Sequence, residues 1–156
     1  MSTRSTVPTV KQRLVTLLDD ACTVPVTYAW PGKSTAPEAV FLGPHPETAD
    51  VRLDRSSQVP TIKAGRKQRQ EEYTVRITVW SFRGDLTSDG AQECEQRAFD
   101  IANDIEDAVA DDPRLGLAAS VIQHATIDDT SSTLFPFNAG WACELAIDLL
   151  VAARLQ

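Results

Sequence analysis

Hydrophobic residues recur every three or four positions near the start of the chain, between residues 7 and 21. This spacing places them on one face of a helix, and Pro8 lies in the first turn, where its missing N–H costs no hydrogen bond. Thr6 precedes the run as a residue able to cap it. The apolar positions are Val7, Val10, Leu14, Leu17, Leu18 and Ala21. We therefore expect an amphipathic helix over residues 7–21.

Five segments have the alternation, or the β-branched and aromatic content, of strands. The longest clean alternation covers residues 72–82 and places Tyr73, Val75, Ile77 and Val79 on one face. The last segment, 141–152, is rich in alanine and leucine, but its strict period of two favours a strand over a helix. The other predicted strands are residues 26–30, 39–42 and 121–127. Residues 135–140 contain Pro136 and Gly140 and are expected to form the turn before the last strand.

A second helix is predicted over residues 91–110, ended by Pro113 and Gly116. Its apolar face would consist of Cys94, Ala98, Ile101, Ile105 and Ala108. Its acidic residues Glu93, Asp100, Asp104, Asp107 and Asp111 are spaced so that they share one stripe on the opposite face. We call these five residues the acidic stripe.

This order of elements, which contains no repeat, predicts a single α+β domain over residues 1–156. Two helices would be packed on one face of a mainly antiparallel sheet. The residues expected in the core are Val75, Ile77, Ile101, Ile105, Leu145 and Ile147.

Between these elements lies a long polar excursion, about residues 44–70, that is predicted to be a long basic loop or hairpin arm. Residues 52–69 contain six bases and one acid. The arm residues expected to contact another subunit or a tail tube are Arg52, Arg55, Val59, Ile62, Lys63, Arg66, Lys67 and Arg69. The sequence alone leaves three interpretations of these bases open: a solvated loop, pairing with an acidic surface of a neighbouring subunit, and nucleic-acid binding.

The charge of the chain is unevenly distributed. The net charge is −7, yet residues 89–112 hold nine acids against Arg97 alone. The rest of the chain is therefore close to neutral. The sequence describes a charge dipole rather than a uniformly acidic protein.

Composition excludes several classes of protein. Three widely spaced cysteines among 156 residues do not fit a secreted disulfide framework, and we expect them to be small core residues. The N-terminal segment lacks the apolar core of a signal peptide, and no stretch is long and apolar enough to cross a membrane. These features favour a cytoplasmic protein that needs no membrane.

The sequence gives no signature of catalysis, cofactor binding or a metal site. His45 and His124 are the only histidines, so a three-histidine zinc site is impossible. We expect His45 to be an exposed loop residue and His124 to be partly buried in a strand. No nucleophile elbow or glycine-rich phosphate loop occurs, and the acidic residues have no EF-hand spacing. We expect neither a cofactor nor enzymatic activity.

The chain resembles the tail-terminator proteins of long-tailed bacteriophages over nearly its whole length. The resemblance rests on the opening helix, the short strands at Tyr28-Ala29-Trp30 and Val40-Phe41-Leu42, and the polar excursion. It continues with the strand from Glu72 to Phe82 and the acidic helix from Ala91 to Val109. The resemblance includes no catalytic motif.

The resemblance implies a structural virion protein that forms a ring, commonly a hexamer. The ring would cap the finished tail tube, end its polymerisation and present the head-joining surface. Its partners would be other copies of itself, the tail tube protein and a head-completion or neck protein, while DNA passes through the lumen without specific binding. The protein would be present in the host cytoplasm during assembly and then at the head-proximal end of the virion tail.

Other functions remain open at the level of sequence. Other head-to-tail neck or completion proteins have a similar size and character. A small nucleic-acid-binding protein would use the basic arm, and a metal-dependent hydrolase would use Asp128, Asp129 and His124.

Overall fold

The structure is a computed structural model that describes residues 5–32, 37–43, 56–63 and 66–154; for residues 56–63 and 66–70 it describes the backbone only. The helices are α1 (Val7–Ala21) and α2 (Ser88–Asp111). The strands are β1 (Val26–Thr27), β2 (Glu38–Leu42), β3 (Ser56–Lys63), β4 (Arg66–Arg83), β5 (Ile122–Phe137) and β6 (Gly140–Arg154).

These strands form one sheet in the order β1-β2-β4-β6-β5, and β3 pairs with the N-terminal part of β4. Every pairing is antiparallel except the parallel pair β1–β2. The long pair β4–β6 forms the centre, where Ile77 lies opposite Ile147. The predicted α+β fold, with a basic hairpin arm formed by β3 and the start of β4, is confirmed.

Both helices cover the same face of the sheet, and the hydrophobic core lies between them and β4, β5 and β6. All six predicted core residues are at most 1% exposed. On α2 the buried face includes Ala102 and Val109, while Ala108, which we expected there, is only half-buried. The sequence therefore predicted the buried face of α2 correctly except in its last turn, where Val109 is buried instead of Ala108.

The three cysteines are buried free thiols, as predicted. Burial raises the pKa of Cys22 to about 11 and that of Cys143 to about 12. Because the thiolate is the reactive form of cysteine, both side chains behave as small apolar core residues at neutral pH.

The first turn of α1 is anchored by a buried carboxylate that sequence analysis did not identify. Thr6 occupies the N-cap position, but its hydroxyl does not cap the helix. Instead, the Thr6 backbone N–H and hydroxyl donate to Glu71 Oε2 at 2.9 and 3.0 Å, and Ser5 Oγ donates to Glu71 Oε1. Glu71 is fully buried at the sheet face beneath the helix. The carboxylate therefore accepts from the N–H of the N-cap residue, the group that the N3 side chain of a capping box would otherwise serve.

Three local predictions were wrong at the edges of the sheet. The strand predicted at 26–30 consists only of Val26–Thr27, and Tyr28 and Trp30 are exposed. Residues 135–137 continue β5, so the turn consists of Asn138 and Ala139, both with positive φ. His124 is exposed rather than partly buried, because it lies on the edge strand and faces away from the helices.

Candidate assembly surfaces

The acidic stripe lies along the outer surface of α2. All five of its carboxylates are exposed. Within the described part of the chain, none of them forms a salt bridge; Asp100 accepts a hydrogen bond from Gln96 at 3.0 Å. The same helix buries its opposite face, so packing within the chain fixes the orientation of the stripe. The stripe is thus a preformed negative surface available to solvent or to a partner.

The basic arm is a β-hairpin in which β3 pairs with residues 66–73 of β4. Val59, Ile62 and Lys63 belong to β3, and Arg66, Lys67 and Arg69 belong to β4. Arg52 and Arg55, also predicted for this surface, lie outside the described residues, as does His45. Among the described elements, β4 is the one with which β3 makes extensive contact. The hairpin therefore extends the sheet beside its N-terminal half.

An ion-pair network that we did not anticipate joins the sheet to α2. The Glu38 carboxylate on β2 binds Arg83 Nη2 on β4 and Arg97 Nε on α2, each at 3.0 Å, and Arg97 also donates to Thr23 Oγ1 at 3.2 Å. Partial burial of Glu38 acts to raise the pKa of its carboxyl. The two arginine hydrogen bonds outweigh burial and hold that pKa below its ordinary value. The network therefore stabilises the charged form of Glu38 and fixes the lateral position of α2.

Beside this network lies an open depression of about 490 Å³ between β4 and α2. Its lining includes Arg83 and Arg97, together with Asp89, Glu93 and Asp100. Because Glu38 already neutralises part of the arginine charge, the net character of the depression is acidic. It has neither the enclosed apolar walls nor the convergent polar groups that small-molecule sites share.

The other face of the sheet carries a cluster of four half-buried aromatic rings from β4 and β5. Trp80 contacts Phe137 and Phe135 edge to face, with centroid distances of 5.3 and 5.9 Å, and Phe82 lies 6.2 Å from Phe137. The rings meet across β6 because β6 has the small Ala142 opposite Phe82 and Phe135. The cluster holds the end of the β5–β6 hairpin against β4, which is a sufficient structural role for it.

Gly140 makes the close approach at this end possible. A Cβ at that position would lie 2.1 Å from the Arg83 carbonyl oxygen, so a larger residue would force the strands apart. Glycine is the residue expected where two backbones come this close.

The structure does not bring together the three residues considered for hydrolysis. Asp128, Asp129 and His124 are all exposed on β5. His124 and Asp129 are five residues apart, which corresponds to about 16 Å along an extended strand. Within the described ranges, no group of three metal-ligating side chains is arranged to hold an ion. In the same part of the chain, no helix is long and apolar enough to span a membrane.

Sequence reasoning missed Glu71, the Glu38 network and the aromatic cluster. Glu38 and Arg97 are 59 residues apart, and Ser5 and Glu71 are 66 apart, so no local pattern could link them. The burial of Glu71 could have been predicted, because Glu71 lies on the same face of the alternating strand as Tyr73 and Val75.

No protein-family model matches the chain, and no curated protein matches it either. Among solved structures, it is similar to a chain from the virion of a native gene transfer agent particle. The two chains are 16% identical, the match covers 94% of this chain and 90% of that chain, and the TM-score is 0.47. A likeness at this level does not assign a function, which has to be inferred from the residues of this chain.

Proposed function

We propose that this chain is a structural virion protein of a long-tailed phage or phage-like particle and serves as its tail terminator. Copies form a closed ring, commonly a hexamer, that caps the tail tube, ends its polymerisation and offers the head-joining surface. The resemblance of the sequence to tail terminators suggests the role. The α+β fold and the absence of a convergent catalytic constellation among the described residues are consistent with it.

The observation that carries the proposal is the separation of opposite charges onto two different elements. A cyclic assembly requires each subunit to join its neighbour through two different, complementary patches. The basic hairpin and the acidic stripe on α2 are such a pair, and the stripe is exposed without an ion-pair partner in the described residues.

Charge alone does not hold such a ring, because an exposed ion pair contributes only about 0–1 kcal/mol. A stable interface usually buries about 800 Å² on each partner. The arm therefore has to add main-chain and apolar contact, to which Val59 and Ile62 would contribute. The protein can accordingly remain monomeric in dilute solution and form rings at high concentration or on the end of a tail tube.

The acidic stripe has a second use in a ring, which competes with the first. A lumen through which DNA slides should lack dense positive charge, since bases would grip the phosphates. If α2 faces the channel, the arm must bind another surface of the neighbour. Either arrangement agrees with the exposure of the stripe.

The test reverses the charge of the arm. We expect the triple variant Arg66→Glu, Lys67→Glu, Arg69→Glu to keep its fold and melting temperature but to lose ring formation by native mass spectrometry and negative-stain microscopy. In an infection or assembly assay it should yield tails of uncontrolled length. A matched control is Arg114→Glu, which reverses an exposed base in the loop after α2 and should leave rings intact.

Normal rings and normal tail lengths from the triple variant would contradict an interface role for the arm. A wild-type chain that remains monomeric at every concentration and on isolated tail tubes would contradict the ring itself. Binding of DNA with a steep salt dependence and no ring would instead identify a nucleic-acid-binding protein.

A further inference from the structure

Phe99 is an exposed aromatic residue on the flank of α2 that points away from β2. It is 38% exposed and does not belong to the hydrophobic core. Arg97, two residues earlier, reaches Glu38 on β2, and a step of two residues turns the helix by about 200°. Phe99 therefore lies on the β5 side of α2. Glu95 and Glu106, one and two turns away, share this flank.

The space beside this flank is open, because α2 does not reach over the outer part of β5. Thr130 and Ser132 lie directly opposite Ile147 and Leu145, whose side chains are buried beneath the helices. Side chains that lie opposite each other in an antiparallel pair share one face of the sheet. Thr130 and Ser132 thus face the helix side, yet both are exposed. Among the described elements, the helix layer ends at the flank that carries Phe99.

The other end of the sheet has a depression large enough for an aromatic side chain. It lies between α1 and the residue that follows β1, and its volume is about 570 Å³. Tyr28, which forms one wall, is 44% exposed. Lys11 Nζ lies 4.8 Å from the centre of the Tyr28 ring, so a positive charge borders the depression. The lining residues are Pro8, Gln12, Val15, Thr16 and Tyr28.

Phe99 and the depression lie at about the same height along the strands. Through β2, the start of β1 is level with Val79 of β4, and Tyr28 follows directly after β1. On α2, Cys94 Sγ lies 3.1 Å from the Ser81 carbonyl oxygen. Phe99 is five residues further along α2, which is about 7.5 Å. Because α2 runs back along β4, this distance brings Phe99 to about the level of Val79.

We propose that Phe99 of one subunit inserts into the depression beside Tyr28 of the next subunit. This inference rests on the proposed ring and names an apolar contact within it. The two surfaces lie at opposite ends of the strand order and at about the same height. A rotation from one subunit to the next, without a shift along the strands, therefore brings them together. Each subunit uses one surface toward each neighbour, which is the type of contact that a ring requires.

The two surfaces are also complementary in chemistry. The rings of Phe99 and Tyr28 are suited to edge-to-face packing, and a buried aromatic side chain is a common centre of binding energy in interfaces. Glu95 and Glu106 flank Phe99, whereas Lys11 borders the depression. Opposite charges therefore meet at the rim of the contact. The inserted ring supplies apolar area that exposed ion pairs lack.

The first experiment removes the inserted side chain. We expect Phe99→Ser to keep the wild-type melting temperature, because Phe99 lies outside the core. The concentration at which half of the protein is in rings should rise by about tenfold or more. The control Leu86→Ser removes a leucine that is 60% exposed in the loop before α2 and should form rings as the wild type does. Circular dichroism and thermal unfolding check the fold, and native mass spectrometry over a concentration series measures the rings.

The second experiment locates the contact by chemical linkage. Gln12→Cys places a thiol in the lining of the depression, and Asn103→Cys places one a turn after Phe99. Both positions are exposed, while the three native cysteines are buried. With a short bismaleimide, an equimolar mixture of the two variants should give linked dimers, and the chain with both changes should give linked oligomers up to the closed ring. Neither variant alone should link to itself, because neither surface meets its own copy.

The outcomes separate this inference from the proposed function. Rings formed by Phe99→Ser at the wild-type concentration, a mixture that does not link, or a single variant that links to itself would overturn the contact while leaving the ring as a proposal. A wild-type chain that never forms rings would overturn both.

Discussion

Ile77 on β4 and Ile147 on β6 lie opposite each other at the centre of the sheet, and both are fully buried. Both belong to the hydrophobic core between the sheet and the helices, where close packing leaves little that can collapse into a vacated space. We expect Ile77→Ala and Ile147→Ala each to lower the free energy of unfolding by about 2–4 kcal/mol, measured by urea denaturation. This is a large share of the stability of an ordinary domain.

Leu150 is a suitable comparison on the same strand as Ile147. It faces the other side of the sheet and is 37% exposed. Leu150→Ala should therefore cost clearly less than either isoleucine substitution. Equal costs at the three positions would mean that the core does not lie on the face that the helices cover.

At the scale of elements, α1 is held to the sheet at its first turn by Glu71. We expect Glu71→Ala to lower the free energy of unfolding by about 1–3 kcal/mol, since the Thr6 N–H would lose its acceptor in a buried site. Hydrogen exchange should also accelerate in the first turn of α1 before it does elsewhere. The adjacent Glu72 is exposed, so Glu72→Ala should change stability by at most about 0.5 kcal/mol. Indistinguishable variants would show that Glu71 does not anchor the helix.

The β5–β6 hairpin shows a second rule at this scale. Pro136 suggests a turn when only the local sequence is considered, yet it lies within a 16-residue strand. The strand tolerates it because its nitrogen faces away from β6. The same reasoning applies to Pro60 in β3, and both prolines mark edges of the sheet.

At the scale of the whole molecule, Glu38 ties β2, β4 and α2 together. Its folded pKa lies below the ordinary value of 4.5, so the unfolded chain binds the proton more readily. The stability that Glu38 contributes is therefore complete above that value and is lost as the pH falls through the folded pKa. We expect Glu38→Gln to be less stable than the wild type by about 1–2 kcal/mol at pH 7.

This difference should shrink on acidification, because protonation removes the same charge from the wild type. Urea denaturation at a series of pH values between neutral and strongly acidic conditions measures it. The control Asp104→Asn removes an exposed acid of the stripe and no ion pair within the described residues. A Glu38→Gln deficit that stays constant across the acidic range would mean that the charge of Glu38 does not stabilise the fold.

The distribution of charge over the whole molecule supplies the two complementary surfaces that the proposed ring requires. The acidic stripe is positioned by the packing of α2, and the basic arm extends the sheet from β4. The two surfaces thus belong to separate elements of the fold.

The sequence by itself determined the elements that bury a regular hydrophobic pattern. The helix at residues 7–21, the central strands and the core residues Ile101 and Leu145 follow from periods of 3.6 and 2, because burying one face requires that spacing. The exposure of the acidic stripe followed in the same way from its position opposite the apolar face of α2.

Only the tertiary structure decided what depends on contacts between distant segments. The Glu38 and Glu71 interactions join residues far apart in sequence, and the length of β5 depends on which way its backbone faces in the assembled sheet. Local periodicity carries no information on these interactions or on the length of β5. Both are stabilised by contacts with a partner strand or helix rather than with residues that are neighbours in the sequence. The position of β5 at the outer end of the described strands likewise becomes visible only once the order of the strands is known.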